Sequence, residues 1–552
     1  MKRILVLGGY GGFGSRISER LAESGHAVLV AGRSLERAQS FCAGRPNLTP
    51  LAVDRDNIAA ALAEHRPALL VDAAGPYQGA DFAVARACIE GGAHYLDIAD
   101  ARDFVGRIAE LDSAARAAHV VVISGASSVP ALSGAVARRL ADGLDRVTAV
   151  EIAISASNQA TAGASVAAAM LSYAGKPIAL WRGQAWHRGF GWQGLRRETF
   201  EVAGTTPLRR RLVALCDVPD LDLLPERLPG APAVSFRAGT ELDIQNLTLW
   251  TSTWAVRWRL VRNLTRLAPW LEPARRLTAR LGGDRSAMRV RLFGMTGQTR
   301  VERRWTLIAE RGDGPRIPGL AVPLLADRIL AGAIAPGAAD AGTLLTLDDF
   351  EPEFARLAIR HEVRETVQPP PLYERVMGER FAGLPEPVRT IHQVLRDGGA
   401  HGRATVARGR NPLARLAGWL VRFPPAGNHQ VHVAFEEQDG VETWTRSFSG
   451  HRFSSQLSSH GDFLVERFGP IRFGFDLPSD ETGLRMKLRR WWLGPLRLPL
   501  ALAPDCEARE WVEEGKFWFD VPVALPLVGL VAHYRGWLTC EPRRPSDAPR
   551  PS

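Results

Sequence analysis

Over its first 130 residues the chain alternates short apolar runs with amphipathic stretches. Lys2–Leu7, Ala27–Ala31, Leu48–Val53, Ala68–Asp72, His94–Ile98 and His119–Ser124 have the length and composition of buried strands. Between them, Ser15–Ser24, Arg33–Ala43, Ile58–Glu64, Asp81–Glu90 and Asp103–Ala118 carry apolar residues at helical spacing. Strands alternating with helices predict a parallel sheet covered on both faces. Ligands of such sheets lie outside the carboxyl ends of the strands, so those ends are where chemistry is sought.

The pattern then changes twice. Val147–Ile154 reads as a strand and Ala162–Ala174 as a helix of small residues. Ala287–Phe293 and Gln298–Ala309 read as paired strands about the turn Gly294-Met295-Thr296-Gly297. Val367-Gln368-Pro369-Pro370-Pro371 reads as a linker. Beyond it, after helical stretches broken at Leu384-Pro385-Glu386-Pro387, short strands dominate from Gly402 onward, and Asp439-Gly440 marks a hairpin. This predicts an antiparallel sheet, strongly curved or barrel-like. The Pro- and Arg-rich segment 541–552 is expected to be disordered.

The first turn is the most informative segment. Lys2–Leu7 runs into Gly8-Gly9-Tyr10-Gly11-Gly12-Phe13-Gly14, and Gly9, Gly11 and Gly14 fit G-x-G-x-x-G between a strand and a helix. In that context Gly9 permits a tight turn, Gly11 lets a pyrophosphate approach the backbone, and Gly14 lets helix and strand pack closely. The helix N-terminus, with Gly12 and Phe13, offers N–H groups to the phosphates. The fold class is therefore α/β: a Rossmann doubly wound parallel sheet over 1–135, followed by an α+β domain over 136–365 and a mainly antiparallel β domain over 372–540.

The end of the second strand selects the dinucleotide. An NAD site places Asp or Glu there for the ribose 2′-OH. This chain has Ala31-Gly32-Arg33-Ser34, so Arg33 and Ser34 are read as contacts to a 2′-phosphate, which favours NADP over NAD. The alternative for Arg33 is a solvated residue at a helix start. Asp54 either accepts from an adenine amino group or caps the helix before Ile58. Ala74, Gly75 and Pro76 are small and rigid, as close backbone contact with a cofactor requires. Tyr77 either offers its hydroxyl near a nicotinamide or packs over a loop. Tyr77, Tyr95, Asp97 and Asp100 stand as alternative groups for proton transfer.

Composition narrows the classes. The 552 residues are 46% hydrophobic and 23% charged, with a net charge of +10 from arginines spread along the chain. No nucleic-acid motif is present, and no partner of that kind is expected. No apolar run is long enough for a membrane-spanning helix. The five cysteines, Cys42, Cys88, Cys216, Cys506 and Cys540, lack metal or disulfide spacing, so no metal is expected and a reducing, cytoplasmic location is. Residues 250–281 mix Trp254, Trp258 and Trp270 with Arg257, Arg259, Arg262 and Arg266, which suits either a peripheral membrane contact or a core-covering helix. Arg446 and Glu466 are either a buried pair lining a cavity or a structural ion pair, and His429 and His432 are strand-surface residues.

Val71–Asp100 resembles the saccharopine dehydrogenase-like family of NAD(P)-binding oxidoreductases. The resemblance is carried by Asp72 to Tyr77, Ala87-Cys88 to Gly91, Tyr95 with Asp97, and Ser127-Ser128-Val129-Pro130. Ile98-Ala99-Asp100 departs from that family's T-G-E-like turn. The likeness extends over about residues 1–350, where Gly312–Pro318 and Ala321–Leu330 resemble the family's closing segment. It implies a hydride-transferring enzyme acting on a small or lipid-like molecule, a second domain for substrate or homodimerisation, and a closing segment folded back on the nucleotide domain. A non-catalytic NADPH-binding sensor or scaffold and a membrane-peripheral lipid reductase are the alternatives. Tyr373–Phe381, Leu384–His392, Trp444–Phe448 and Glu466–Pro470 resemble a bacterial domain of unknown function.

Overall fold

The computed structural model describes residues 2–159, 164–265, 278 and 281–550. Its first sheet has seven parallel strands. Six come in sequence: β1 (Arg3–Leu7), β2 (Ala27–Gly32), β3 (Leu48–Ala52), β4 (Leu69–Asp72), β5 (His94–Asp97) and β6 (Val121–Ser124). Their spatial order is 3-2-1-4-5-6, the doubly wound arrangement that places the reversal beside β1 and β4. The strands from β2 to β6, apart from the edge strand β3, are buried on both faces, which is why they read as apolar runs rather than alternations. The expected helix Asp103–Ala118 is instead three short pieces, Arg102–Arg107, Ile108–Leu111 and Asp112–Ala117.

The second sheet is mixed. It comprises β7 (Arg146–Ala156), β10 (Arg196–Phe200), β11 (Leu208–Leu215), β12 (Ala233–Thr240), β13 (Ser286–Thr296), β14 (Thr299–Ala309) and β16 (Ile359–Val367). A hairpin, β8 (Pro177–Arg182) with β9 (Ala185–Phe190), flanks it. Strands β13 and β14 run to Thr296 and Thr299, so the turn is tighter than the pattern suggested. After β14 the chain returns to the first sheet, where β15 (Gly337–Asp340) pairs in parallel with β6. The closing segment thus does fold back on the nucleotide domain, and one apolar core runs from Ile4 to Phe354 through both domains.

The third unit is a closed antiparallel barrel. Its wall is β17 (Asp397–Arg408), β18 (Gly427–Gln438), β19 (Val441–Phe448), β20 (His451–His460), β21 (Phe463–Phe468), β22 (Ile471–Asp476), β24 (Gly483–Leu493), β26 (Ala508–Glu513), β27 (Lys516–Leu525) and β28 (Gly529–Thr539). Pairing of β22 with β24 and of β28 with β17 closes the ring. The short strands β23 (Ser479–Asp480) and β25 (Leu496–Leu498) attach to β24. Along β20, Phe453, Ser455 and Leu457 point inward while Arg452, Ser454 and Gln456 face out. The barrel has its own core, which includes Leu372, Tyr373 and Val388 from the preceding helices.

Polar contacts join the barrel to the second sheet. Glu151 on β7 accepts from Arg396 at 2.5 and 2.8 Å, and Thr148 donates to the Leu395 carbonyl at 2.6 Å. The expectation that 541–552 is disordered does not hold for 541–550. Trp186 Nε1 donates to the Pro545 carbonyl at 3.0 Å, and Arg550 lies over the Trp186 ring while bonding Asp222. An extended Pro-rich segment leaves its carbonyls free for such donors. In the tryptophan-rich region, the helix Asp243–Arg257 brings Trp250 edge-on to Trp254 and Trp254 against Trp258 at its end, with Arg257 over Phe190. Arg266, Leu267 and Trp270 lie outside the described residues. Among the described residues no helix is long and apolar enough to cross a membrane. All five cysteines are free thiols.

Candidate active site

The glycine turn sits at the carboxyl end of β1, and its glycines divide the work differently from the motif reading. The left-handed residue is Gly8, at φ +76°, and the Gly8 and Gly9 N–H groups both donate to the Ala31 carbonyl on β2. Gly9 is the close-packing position: a Cβ there would meet the Val6 carbonyl at 2.8 Å and Ser18 Oγ at 3.0 Å. Gly14 opens helix α1 (Gly14–Glu23), and a Cβ on it would lie 2.1 Å from the Gly8 carbonyl oxygen. At Gly11 a Cβ would touch only that same oxygen, at 3.0 Å. The loop is therefore closed beneath Gly9 and Gly14 and open over Gly11, where α1 begins. Gly12 and Phe13 complete the approach to its first N–H groups.

Tyr10, which the motif passes over, joins this loop to the end of β2. Its ring lies against Gly32, where a Cβ would come within 2.5 Å, and its hydroxyl accepts from the Ser34 N–H at 2.9 Å. Ser34 Oγ caps the helix Leu35–Cys42 by accepting from Arg37 N. Arg37 in turn lies 5.0 Å over the Tyr10 ring. Arg33 is exposed and makes no hydrogen bond or ion pair among the described residues. Two arginines, Arg33 and Arg37, thus lie near the Ser34 hydroxyl along the chain at this edge. Arg37 went unnoticed in the sequence because it lies inside the helix, one turn beyond the strand end. Asp54 takes the capping alternative: it is exposed and accepts from Asp56 N at 3.2 Å.

The ends of β4, β5 and β6 form the other half of the site. Asp72 is buried, pairs with Arg55 and accepts from Ala74 N at 3.0 Å. Burial raises its carboxyl above the usual range while Arg55 pulls it back. Ala74, Gly75 and Pro76 follow directly, and the Tyr77 ring folds over Gly75. The Tyr77 hydroxyl donates to the Asp72 carbonyl at 2.7 Å, and its ring packs on Phe104. Its proton is therefore spent on its own loop. Tyr95 is 1% exposed inside the β5 core, where burial and then Asp97 raise its hydroxyl well above the ordinary range. Both tyrosines pack as core residues rather than facing a substrate.

Asp97 is different. Its Oδ1 accepts from Gly125 N at 2.8 Å, Ala99 N at 2.9 Å and Ser124 Oγ at 2.9 Å. Its Oδ2 is buried with no hydrogen-bond partner among the described residues. Burial pushes the carboxyl up to about 7 against those three donors. Asp100 lies at the rim and accepts from Gln78 Nε2 at 3.3 Å. Across the cleft the second domain contributes the half-buried Tyr173, hydrogen-bonded to Cys216, with Asp100 among the charges near both. No pattern in the sequence marked Tyr173, since it reaches the cleft only through the packing of two domains. Among the described residues no group of three or more His, Cys, Asp or Glu could hold a metal ion.

Family comparison fits this geometry. Residues 4–123 match the saccharopine dehydrogenase NADP binding domain. Residues 384–538 match a domain of unknown function, DUF4166. The chain thus carries an NADP-binding domain of the saccharopine dehydrogenase type at one end and this second domain at the other. Among solved structures, saccharopine dehydrogenase (L-Glu forming) from Saccharomyces cerevisiae is 12% identical, with a TM-score of 0.46, over 66% of this chain and 100% of that one. GenD2 from gentamicin A biosynthesis, in complex with NAD, is 14% identical with a TM-score of 0.32, over 63% of this chain and 89% of that one. Yeast methylglyoxal/isovaleraldehyde reductase Gre2, complexed with NADPH, is 14% identical with a TM-score of 0.16, over 17% of this chain and 36% of that one. No curated protein matches the chain significantly.

Proposed function

We propose that the protein is a nicotinamide-dependent oxidoreductase of the saccharopine dehydrogenase-like type, using NADP in preference to NAD. The reading rests on one observation: the turn is sterically closed at Gly9 and Gly14, open at Gly11, and bridged by Tyr10 to a strand end that carries arginines and no acid. A pyrophosphate over Gly11 meets the start of α1, where N–H groups and the helix dipole favour negative charge. On this reading Arg33, Ser34 and Arg37 bind a 2′-phosphate, and Ala74, Gly75 and Pro76 bound the far ribose. When bound, the cofactor supplies or accepts a hydride.

The chain's own contribution is position and a proton. Asp97 orders the Ser124–Gly125 turn through Oδ1 and holds a proton on its unpaired Oδ2 near neutral pH. Tyr173 of the second domain, hydrogen-bonded to Cys216, brings a further hydroxyl near Asp100. Calorimetric titration of the full chain with NADPH and NADH tests the reading. Saturable binding of one NADPH per chain, at least about tenfold tighter than NADH, is expected. Absence of binding by either cofactor overturns it, and equal binding overturns the NADP preference.

A further inference from the structure

The barrel is a ten-stranded meander, so its connections fall alternately on its two ends. One end carries residues 393–396 and the turns after β18, β20 and β26. It is plugged by the helices between Leu372 and Ile391, and it docks on the second sheet through Arg396 and Leu395. The other end carries 409–426, the turns after β19 and β21, the segment 494–507 and the turn 526–528. It therefore points away from the second sheet.

Inside the wall lies a cavity of about 390 Å³, within the range of sites that enclose small organic ligands. Phe448, Phe473, Phe517, Phe519 and Tyr534 make most of its surface apolar. Its polar groups are few: Glu510 pairs with His392 at 2.7 Å, and the others form one set. Arg446 donates to Ser455 at 2.8 Å and to Glu466 at 3.3 Å, and Ser455 donates to Glu466 at 2.7 Å. This is both the lining pair and the ion pair that the sequence left as alternatives.

The free end of the cavity is its mouth. The helix Pro412–Leu420 crosses it, giving Ala417 and Leu420 to the cavity wall while Leu420 itself stays 67% exposed. The same helix turns Leu413, Leu416 and Trp419 fully to the outside, Trp419 at 73% exposure. Around the rim, Leu496, Leu500, Leu502 and Leu527 are also exposed. Isolated exposed leucines are ordinary, but a contiguous apolar ring around a cavity mouth marks an interaction site. The charges around the helix Pro412–Leu420 have one sign: 408–427 holds Arg408, Arg410, Arg415 and Arg422 and no acid, whereas the rim segment 494–507 holds Arg497 with Asp505 and Glu507. Apolar side chains flanked by arginines on one side of the mouth complement an anionic bilayer, which accepts the first among its acyl chains and the second among its phosphates.

We propose that the C-terminal barrel is a lipid site: its mouth docks on an anionic membrane and its cavity takes up one hydrocarbon chain of a lipid. Because Glu466 already neutralises Arg446, the interior suits the chain and a neutral oxygenated group. The site is separate from the nucleotide cleft, so cofactor binding is a control for the integrity of every variant.

The test uses the full-length protein, cis-parinaric acid as the chain probe, and vesicles of phosphatidylcholine with or without phosphatidylglycerol. Saturable probe fluorescence at one per chain is expected, together with flotation on the phosphatidylglycerol vesicles at least about tenfold stronger than on phosphatidylcholine alone. Ala508→Trp fills the cavity and should weaken probe binding by at least about tenfold. Should that variant fail to fold, Ala417→Trp on the solvent-accessible helix carries the same test at the mouth. Leu416→Glu with Trp419→Glu, both outside the cavity wall, should abolish flotation and leave probe affinity within about threefold. The proposal is overturned if no saturable probe binding occurs or if folded, filled variants bind the probe unchanged. It is also overturned if the lid variant still floats, or if that variant dissolves a dimer where the parent chain showed no vesicle binding.

Discussion

The Tyr10 hydroxyl accepts a 2.9 Å hydrogen bond from the Ser34 backbone N–H, tying the glycine turn to the strand end that would read the adenosine ribose. Phosphate recognition and dinucleotide selection thus share one side chain. Tyr10→Phe should keep the ring contact with Gly32 and lose only the bond. We expect NADPH affinity to fall about three- to tenfold with little change in melting temperature, read by calorimetry and thermal unfolding.

Arg33 and Arg37 set the 2′-phosphate preference in the proposed site. Arg33→Asp should cut NADPH affinity by about tenfold or more and leave NADH nearly unaffected, since an exposed charge-assisted contact is worth little beyond its own ligand group. Arg37→Ala should also loosen the Tyr10 ring contact. Parallel titrations with both cofactors check this. An equal loss for NADH would mean that the arginines act on the pyrophosphate.

Gly11 and Gly14 separate binding from folding. Gly14→Ala places a methyl 2.1 Å from the Gly8 carbonyl and should cost at least about 2 kcal/mol by denaturant titration. Gly11→Val should cost far less stability while blocking NADPH. Normal NADPH binding by Gly11→Val would show that no phosphate lies over that residue.

The central strands of the first sheet were legible because strands buried on both faces appear as unbroken apolar runs, and the turn chemistry follows from glycine spacing. Tyr10, Arg37 and Tyr173 were not legible, since each acquires its place through a contact between segments that the linear pattern does not relate. The barrel shows the same limit. Its strands alternate clearly, but closure depends on β22 meeting β24 and β17 meeting β28, and the latter pair is more than a hundred residues apart. The sequence pattern does not mark strand β26 or the helix Pro412–Leu420, the first because Arg509, Glu510 and Glu513 mask its alternation. The glycine reading put the tight turn at Gly9, whereas only the fold shows that Gly8 takes the left-handed conformation.

Glu151 is the main polar tie between the second sheet and the barrel. Burial opposes its charge, but Arg396, Arg291 and Arg196 outweigh that and hold it down to about 2. Its stabilising contribution is present above the unfolded value near 4.5 and is lost as pH falls through the folded one. Glu151→Gln should destabilise the chain by about 2–3 kcal/mol at neutral pH. It should also weaken the association of separately expressed 1–370 and 371–552, measured by co-elution.

Asp220 has the opposite sign. It is fully buried, and burial pushes it up to about 7. The folded state then binds more protons than the unfolded chain between pH about 4 and 7, so its contribution falls as pH rises through that window. Asp220→Asn should raise the melting temperature at pH 8 relative to the parent chain and give no gain at pH 5. A pH-independent difference would show that the Asp220 carboxyl does not titrate in this range.

Strand β15 gives the nucleotide domain a dependence on the order of synthesis. On the ribosome β6 emerges about two hundred residues before Gly337–Asp340, a wait of roughly 10–40 s at about 5–20 residues per second. Throughout that interval the outer edge of β6, apolar over Val121–Ile123, is an unpaired strand, open to any neighbouring nascent chain. Completing the first module therefore requires the second to have emerged, and the two halves of the shared core mature as one cooperative event.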